Sequence, residues 1–377
     1  MSSQVPAKER ALNPDRIARI GRELQAVCPD FDATSFTAQV SADLPRLELK
    51  ARIARTAEGL HQHLPVTGPA ALDTLLRSLP ATPEAAGADS DFGLYIYAPH
   101  SAYVAAHHLH ADRLDEALDA FATITPYFSA EDAVRTALNS FPHETLAAAA
   151  SWASAADHRV RRLASEALRP HLPLSVGIGM PVDVALPLLD KLYADRSRFV
   201  TTSVANHLRD ITRTQPDLVL ATLTRWRTEG RAKPAELTFI TREALKLRLK
   251  AGWAPAYSLL GYDPQAAVSV APIRLERTNY QLGDSLAFEA DITAPADTPV
   301  HVMYVLTHTD TGTRTREKVA HLTRATAKAG TPLHLAKAHA LKSTGTAALT
   351  PGSYHLALQV NGRRHAPAPF RITGHPA

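Results

Sequence analysis

HRVRRLASEAL (158–168), RFVTTSVANHL (198–208) and TFITREALKLR (238–248), written under one another, decide the fold. Val160, Val200 and Ile240 fall 40 residues apart, and so do Ala164, Val204 and Ala244. The two columns are four residues apart, the spacing of one helix face, and the 40-residue period is that of HEAT or armadillo units. One helix pair cannot bury its own apolar face, so such units are expected to stack into a superhelix with a long concave surface. The third copy turns basic at Lys246, Arg248 and Lys250.

Outward from these repeats, an Ala/Leu-rich helical pattern runs from about residue 10 to 262, punctuated by Pro80, Pro99, Pro126, Pro142, Pro170, Pro216 and Gly252. The stretch ATPEAAGADSD (81–91) reads as a mobile loop, and Glu144 as an early-turn acid of the helix that follows. After Tyr262-Asp263-Pro264 the period changes to two. Leu286, Phe288, Ala290 and Ile292 share one strand face, as do Tyr354, Leu356, Leu358 and Val360. Gly283-Asp284, Asp310-Thr311-Gly312, Pro351-Gly352 and Asn361-Gly362 supply turns, the last a type I′ hairpin signal. The expected fold is mainly α, a HEAT-like helical superhelix over 1–265, followed by a small all-β immunoglobulin-like sandwich over 266–377 without a disulfide. A chain of 377 residues is comfortable for two such cores.

Composition excludes several classes. No apolar run approaches the roughly 18 to 20 residues of a membrane span, and MSSQVPAKERALNPDR has no apolar core of a secretion signal. Cys28 is the only cysteine, so disulfide frameworks and multi-cysteine zinc sites are out. A soluble cytoplasmic protein is expected. Residues 196–250 hold 12 Lys or Arg against 5 Asp or Glu, and residues 266–377 hold 12 against 7. A basic face of this kind suits a polyanion, because neutralised phosphates release counterions; a solvated helix surface is the bland alternative.

No phosphate loop, nucleophile elbow or zinc-hydrolase helix is present. Polar residues on the repeats remain. Arg161, Arg162, Glu166 and Arg169 read by themselves as an exposed ion-pair row worth a few tenths of a kcal/mol. Asn206 aligns with Glu166 and stands one turn before Asp210, so in stacked repeats Glu166, Asn206 and Asp210 converge on one groove. Glu131, in SAEDAV, reads equally as an acid of a helix first turn. His61, His63, His107, His108 and His110 lack a fixed acidic partner, so no metal is expected. Trp152, Trp226 and Trp253 fall at apolar helix positions and read as core.

FSAEDAVR (128–135), HRVRRLASEALRPHLP (158–173), FVTTSVANHLRDI (199–211) and REALKLRLKAGWAPAYSLLGYDP (242–264) resemble, in order and spacing, the AlkC branch of bacterial DNA alkylation-repair glycosylases. LTPGSYHLALQVNG (349–362) is similar to the end of the Ig-like domain that many members carry. The resemblance covers roughly residues 20–370. It implies hydrolysis of the N-glycosidic bond of cationic alkylated bases, notably 3-methyladenine and 3-methylcytosine, without full base flipping and without a cofactor. Its implied partner is alkylated double-stranded DNA, and its implied setting a monomer in the bacterial cytoplasm near the nucleoid. Position by position it implies Asp210 for transition-state electrostatics and water placement, with Glu131 and Glu166 lining the site. Arg161, Arg162, Arg169, Asn206, His207, Arg242, Lys246, Arg248 and Lys250 become the implied DNA contacts, and the Ig-like domain closes on the other side of the duplex. Departures from the family pattern are Leu174 where a Trp is usual, Thr201-Thr202 where basic residues are common, Arg209 for Asn and Ala167 for Gly, with LSVGIGMP (174–181) unlike the usual segment. They leave a second reading, a non-catalytic repeat scaffold that binds damaged or structured DNA or a protein.

Overall fold

All six repeat-column residues, Val160, Ala164, Val200, Val204, Ile240 and Ala244, are buried, as one helix face repeated at a fixed period requires. They belong to the helices His158–Glu166, Arg198–Ile211 and Pro234–Ala244 of a computed structural model that describes residues 6–309, 316–342 and 349–374. The expected turn at Asp310-Thr311-Gly312 lies outside the described residues.

Local chemistry sets the helix starts. Pro14, Pro142 and Pro216 open helices, where a missing N–H costs nothing. Asn13, Asp32 and Asp157 each accept a first-turn backbone N–H, from Arg16 (3.0 Å), Ser35 (2.9 Å) and Arg159 (2.7 Å). The third repeat is interrupted: the chain leaves helical geometry at Leu245 (φ −91°, ψ 7°) and resumes in Lys246–Lys250. The 81–91 stretch is a loop, yet a tethered one rather than a mobile one. Ala86 is buried, its carbonyl accepts from Arg19 at 2.8 Å, and Asp91 pairs with His158 at 2.7 Å. No helix among the described residues is long and apolar enough to cross a membrane.

The chain divides into two compact units, Met1–Ile211 with Glu229–Ile240, and Thr212–Thr228 with Thr241–Ala377. The division does not follow the expected 265/266 boundary, although helices give way to strands between Leu259 and Ser269. The second unit contains two antiparallel-based sheets. Ser285–Thr293 is the spine of the smaller one, paired with Ser269–Val270, Arg274–Leu275 and Leu333–Ala340. The larger runs Asn279–Gln281, Ala368–Thr373, Gly352–Val360, Thr298–His308, Arg316–Ala327. Both expected alternating sets, Leu286 to Ile292 and Tyr354 to Val360, are buried in one core between the sheets. Asn361 (φ 46°) and Gly362 (φ 90°) occupy the two left-handed positions a type I′ turn needs.

Thr298–His308 is buried on nearly every residue, not on alternate ones, because the last helices of the chain cover the outer face of its sheet. Gln359 donates to the Leu249 carbonyl and the Tyr257 hydroxyl, both at 2.9 Å, and Asn361 donates to the Asp263 carbonyl at 3.0 Å. At the tightest point Gly252 (φ +75°) meets Gly362, and a Cβ on Gly252 would stand 2.6 Å from the Gly362 carbonyl oxygen. These bonds explain why residues after 241 pack with the sandwich. Gly252→Ala combines a left-handed φ with that clash and is expected to cost about 1–3 kcal/mol, read as a lower denaturation midpoint of the full chain; an unchanged midpoint would show the contact is not made.

Candidate functional site

The first unit brings three carboxylates from three helices into one buried network. Glu131 opens the helix Glu131–Ser140, Glu166 ends His158–Glu166, and Asp210 lies in the last turn of Arg198–Ile211. Two arginines link them. Arg162 Nη1 lies 3.1 Å from Glu131 Oε2 and its Nη2 lies 3.4 Å from Glu166 Oε1. Arg169 donates through Nη1 to Glu166 Oε1 at 2.6 Å and through Nε to Asp210 Oδ2 at 2.9 Å. The charges therefore alternate along Glu131, Arg162, Glu166, Arg169 and Asp210. A third buried guanidinium, that of Arg135, feels the charges of Glu166 and Asp210 as well, so three cations stand among the three carboxylates.

Glu166 and Asp210 are 4% and 3% exposed, whereas a quarter of the Glu131 side chain reaches solvent. The exposed ion-pair row that the helix pattern alone suggested is thus replaced by a covered one, because the neighbouring repeat helices pack over this face. Ser203 adds a hydroxyl donor to Glu166 Oε2 at 2.6 Å, and Ser129 bonds Glu131 Oε2. Asp210 Oδ1 accepts no hydrogen bond among the described residues, so this carboxylate is fixed through one oxygen and open at the other.

The environments push the acids apart. Burial by itself would raise Glu166, but Arg162, Arg169 and the Ser203 hydroxyl outweigh it and hold the carboxyl below its ordinary value. Burial raises Glu131, Arg162 offsets only part of the rise, and the Glu166 charge adds to it. Opposite shifts in adjoining acids are a recurrent mark of a functional site.

Other expected contacts separate into distinct places. Arg161 makes a two-pronged pair with Asp195 (2.5 and 3.0 Å), and its Nη1 bonds the Ala155 and Ala156 carbonyls, so its fork is spent inside the protein instead of on a phosphate. Arg162 and Arg169 are likewise occupied by the acids. His207 is fully buried, which corrects its expected place at a DNA surface. Its Nδ1 donates to the Ser165 carbonyl at 3.0 Å, burial lowers its pKa to about 4, and its Nε2 has no partner. Asn206 is half-buried beside it. In the second unit Lys246 pairs with Glu243 at 3.1 Å, and Arg248 donates to the Thr212 carbonyl. Lys250 and Arg242 make no ion pair among the described residues.

Several participants escaped the sequence reading. Ser203 stands in the column of Leu163, a polar residue where the repeat wants an apolar one, and that mismatch was a usable signal. Arg135 is fully buried and binds main-chain carbonyls of Ala167 (2.9 Å), Arg169 (2.7 Å) and Val176 (2.6 Å), tying the 170–179 loop to the network. Phe92, 60% exposed, meets Phe199 edge-on at 4.9 Å, and both rings lie under the Arg162 guanidinium, at 5.6 and 4.6 Å. No period marks these two rings.

A family model described as "Uncharacterised protein YhaZ, C-terminal Ig-like domain" matches residues 269–374. The "Uncharacterized protein YhaZ" of Bacillus subtilis (strain 168) is 27% identical over 364 residues, which are 96% of this chain and 98% of the relative. The solved structure of Pseudomonas fluorescens alkylpurine DNA glycosylase AlkC, bound to DNA containing an abasic site analog, matches with a TM-score of 0.87 at 30% identity. That match covers 98% of this chain and 100% of the other. The chain belongs to the AlkC family.

Where the AlkC pattern quoted above has a tryptophan, Leu174 stands 84% exposed with φ +63°. The contacts among Glu131, Arg162, Glu166, Arg169 and Asp210 in this AlkC-family chain do not involve Leu174. Glu166→Gln takes one of two carboxylates from each buried guanidinium, leaving Arg162 with Glu131 and Arg169 with Asp210, and is expected to cost about 1–3 kcal/mol at pH 7. Because the folded pKa of Glu166 is lowered, that loss is full above about pH 4.5 and fades as pH falls through the folded value. Glu131 has the opposite sign. Its raised pKa makes the ionised carboxylate unfavourable, so Glu131→Gln should be at least as stable as the parent at pH 7 and equal to it below about pH 4.5. Unfolding curves of both variants from pH 3 to 8 check this; equal, pH-independent effects would contradict the assigned environments.

Proposed function

We propose that this chain is a DNA glycosylase that hydrolyses the N-glycosidic bond of cationic alkylated bases, 3-methyladenine and 3-methylcytosine, in double-stranded DNA. The observation that carries the reading is the meeting of Glu131, Glu166 and Asp210 around Arg162 and Arg169, in a chain matched over its whole length by an alkylpurine DNA glycosylase.

A base that already carries a positive charge leaves without a general acid. What its departure needs is negative charge facing the oxocarbenium-like sugar, and a placed water. In this reading carboxylates of the network serve both needs. Asp210 is held at Oδ2 by Arg169 and keeps Oδ1 for a water or for the sugar's developing charge. Glu131, the most accessible of the three acids, faces the cationic lesion, and Glu166 holds the two arginines that orient the others. Since the leaving group needs no protonation, a pocket that encloses the base is dispensable, and hydrolysis proceeds without full extrusion of the nucleotide, unlike the usual glycosylase route. The enzyme acts as a monomer in the bacterial cytoplasm, on DNA of the nucleoid, without a cofactor.

Purified protein is expected to release 3-methyladenine or 3-methylcytosine from duplexes bearing one defined lesion. Asp210→Asn should lower that release by about 100- to 1000-fold while duplex binding persists. Undiminished release by the variant would remove the role of Asp210. No release above background by the parent chain would leave the scaffold reading.

A further inference from the structure

Two large aromatic rings stand exposed among the described residues, Phe92 and Tyr95, and of these Phe92 lies against an arginine of the acid network, Arg162. Its ring is left in water, yet its loop is fixed on both sides of it. Asp91 pairs with His158 at 2.7 Å, and the Leu94 N–H donates to the Tyr127 carbonyl at 2.7 Å. Gly93 takes a left-handed φ of +70° to pass that carbonyl, where a Cβ would collide. These contacts are ionic or made by the main chain, so none of them needs a phenyl ring at 92. A ring left largely in water adds little stability of its own, and its reason lies in what it covers.

The Arg162 Cζ lies 5.6 Å from the centre of the Phe92 ring and 4.6 Å from that of Phe199. The two ring centres are themselves only 4.9 Å apart, so both rings lie on one side of the guanidinium. Its N–H edges go to acids and a hydroxyl: Nη1 donates to Glu131 Oε2 and Ser129 Oγ, both at 3.1 Å, and Nη2 lies 3.4 Å from Glu166 Oε1. The Arg162 side chain is 8% exposed, whereas that of Glu131 beside it is 25% exposed. The carboxylate is open where its arginine is covered. Phe199 is placed in turn by an edge contact with His158 (6.1 Å between ring centres), the residue that Asp91 binds. All of these residues belong to the first unit.

We infer that Phe92 and Phe199 are positioning residues for Arg162: they cover its guanidinium, so that it stays with Glu131 and Glu166 when duplex DNA, whose phosphates compete for it, is bound. The inference deepens the function proposed above and rests on it. A guanidinium forks onto a phosphate as readily as onto a carboxylate. On a surface that receives a polyanion, an uncovered Arg162 would turn outward, and Glu131 and Glu166 would each lose a partner. The rings oppose this in two ways. Their faces attract the cation, and their bulk keeps water and phosphate oxygen away from it, which strengthens its pairing with the acids.

The test follows binding of the full chain to an undamaged duplex across salt concentrations, and base release from a duplex with one defined lesion. Phe92→Ala frees Arg162 for one phosphate, so the plot of log Kobs against log salt should become steeper by about one. Base release should fall roughly 3- to 30-fold, the worth of a cation–π contact. Damage to the fold does not mimic this pair of results, because it removes phosphate contacts instead of adding one. Phe92→Tyr keeps the ring and should restore both slope and release. In an Arg162→Gln background Phe92→Ala should leave the slope where it is, since no charge remains to be freed. A slope in Phe92→Ala no steeper than the parent's, release as fast as the parent's, or steepening that persists in the Arg162→Gln background would each overturn the cover. The comparison of Ala with Tyr at 92 decides the matter even where Arg162→Gln does not fold. Steepening reversed by Tyr, in a chain whose parent releases no base, would sink the glycosylase reading and leave the cover standing, whereas no duplex binding by the parent chain would sink both.

Discussion

Arg169 holds Glu166, three residues behind it, and Asp210, forty-one residues ahead, with one planar guanidinium. Each of these groups is almost fully removed from water, and an isolated buried charge costs several kcal/mol. The arrangement persists only because every charge has an opposite neighbour at bonding distance. That requirement fixes the register of the helices His158–Glu166 and Arg198–Ile211 more tightly than apolar packing would. A shift of one residue along a helix turns a side chain by about 100°, which would carry Asp210 away from Arg169 and Ser203 away from Glu166 together.

The same network assigns different duties to chemically similar acids. Glu166 is saturated by Arg162, Arg169 and Ser203 and stays ionised, so it anchors the pair of arginines. Glu131 is more accessible, carries a raised pKa, and sits under the guanidinium that Phe92 and Phe199 also touch. A cation arriving there would favour the ionised form of Glu131, because an opposite charge nearby lowers a carboxyl pKa. Under the proposed function, binding of a positively charged base and ionisation of Glu131 would therefore be coupled, and a neutral base would receive less of this attraction.

The repeat columns and strand alternation were legible because burial imposes a period on them: Val160, Val200 and Ile240 at 40, Leu286 to Ile292 at two. Convergence of the acids was legible in part, through alignment of the repeats and the family motifs. Their partners were not. A helix pattern shows which residues share a face but not whether a neighbour covers it, so Arg161 and Arg162 looked like solvated cations when each is enclosed by acids or carbonyls. His207 followed the same error. The division into compact units was also hidden, since Gln359 reaches the helix Lys246–Lys250 and Asn361 the segment after the last helix, about a hundred residues away, through bonds that no local pattern records.

The loop after Arg169 shows how side chain and scaffold can vary apart. Arg135 and Asn139 grip it entirely through main-chain oxygens, of Val176 and of Gly177 (2.9 Å). Carbonyl contacts are indifferent to the residue that carries them, so the loop holds its place whatever side chain stands at 174. Leu174 nonetheless adopts a left-handed conformation that costs a non-glycine residue on the order of 1 kcal/mol, and it spends that energy to point an apolar group into water. No packing inside the first unit repays this. Leu174 thus stands clear of Glu131, Glu166 and Asp210, and the exchange of the usual aromatic at this position leaves the contacts among those acids and their arginines untouched.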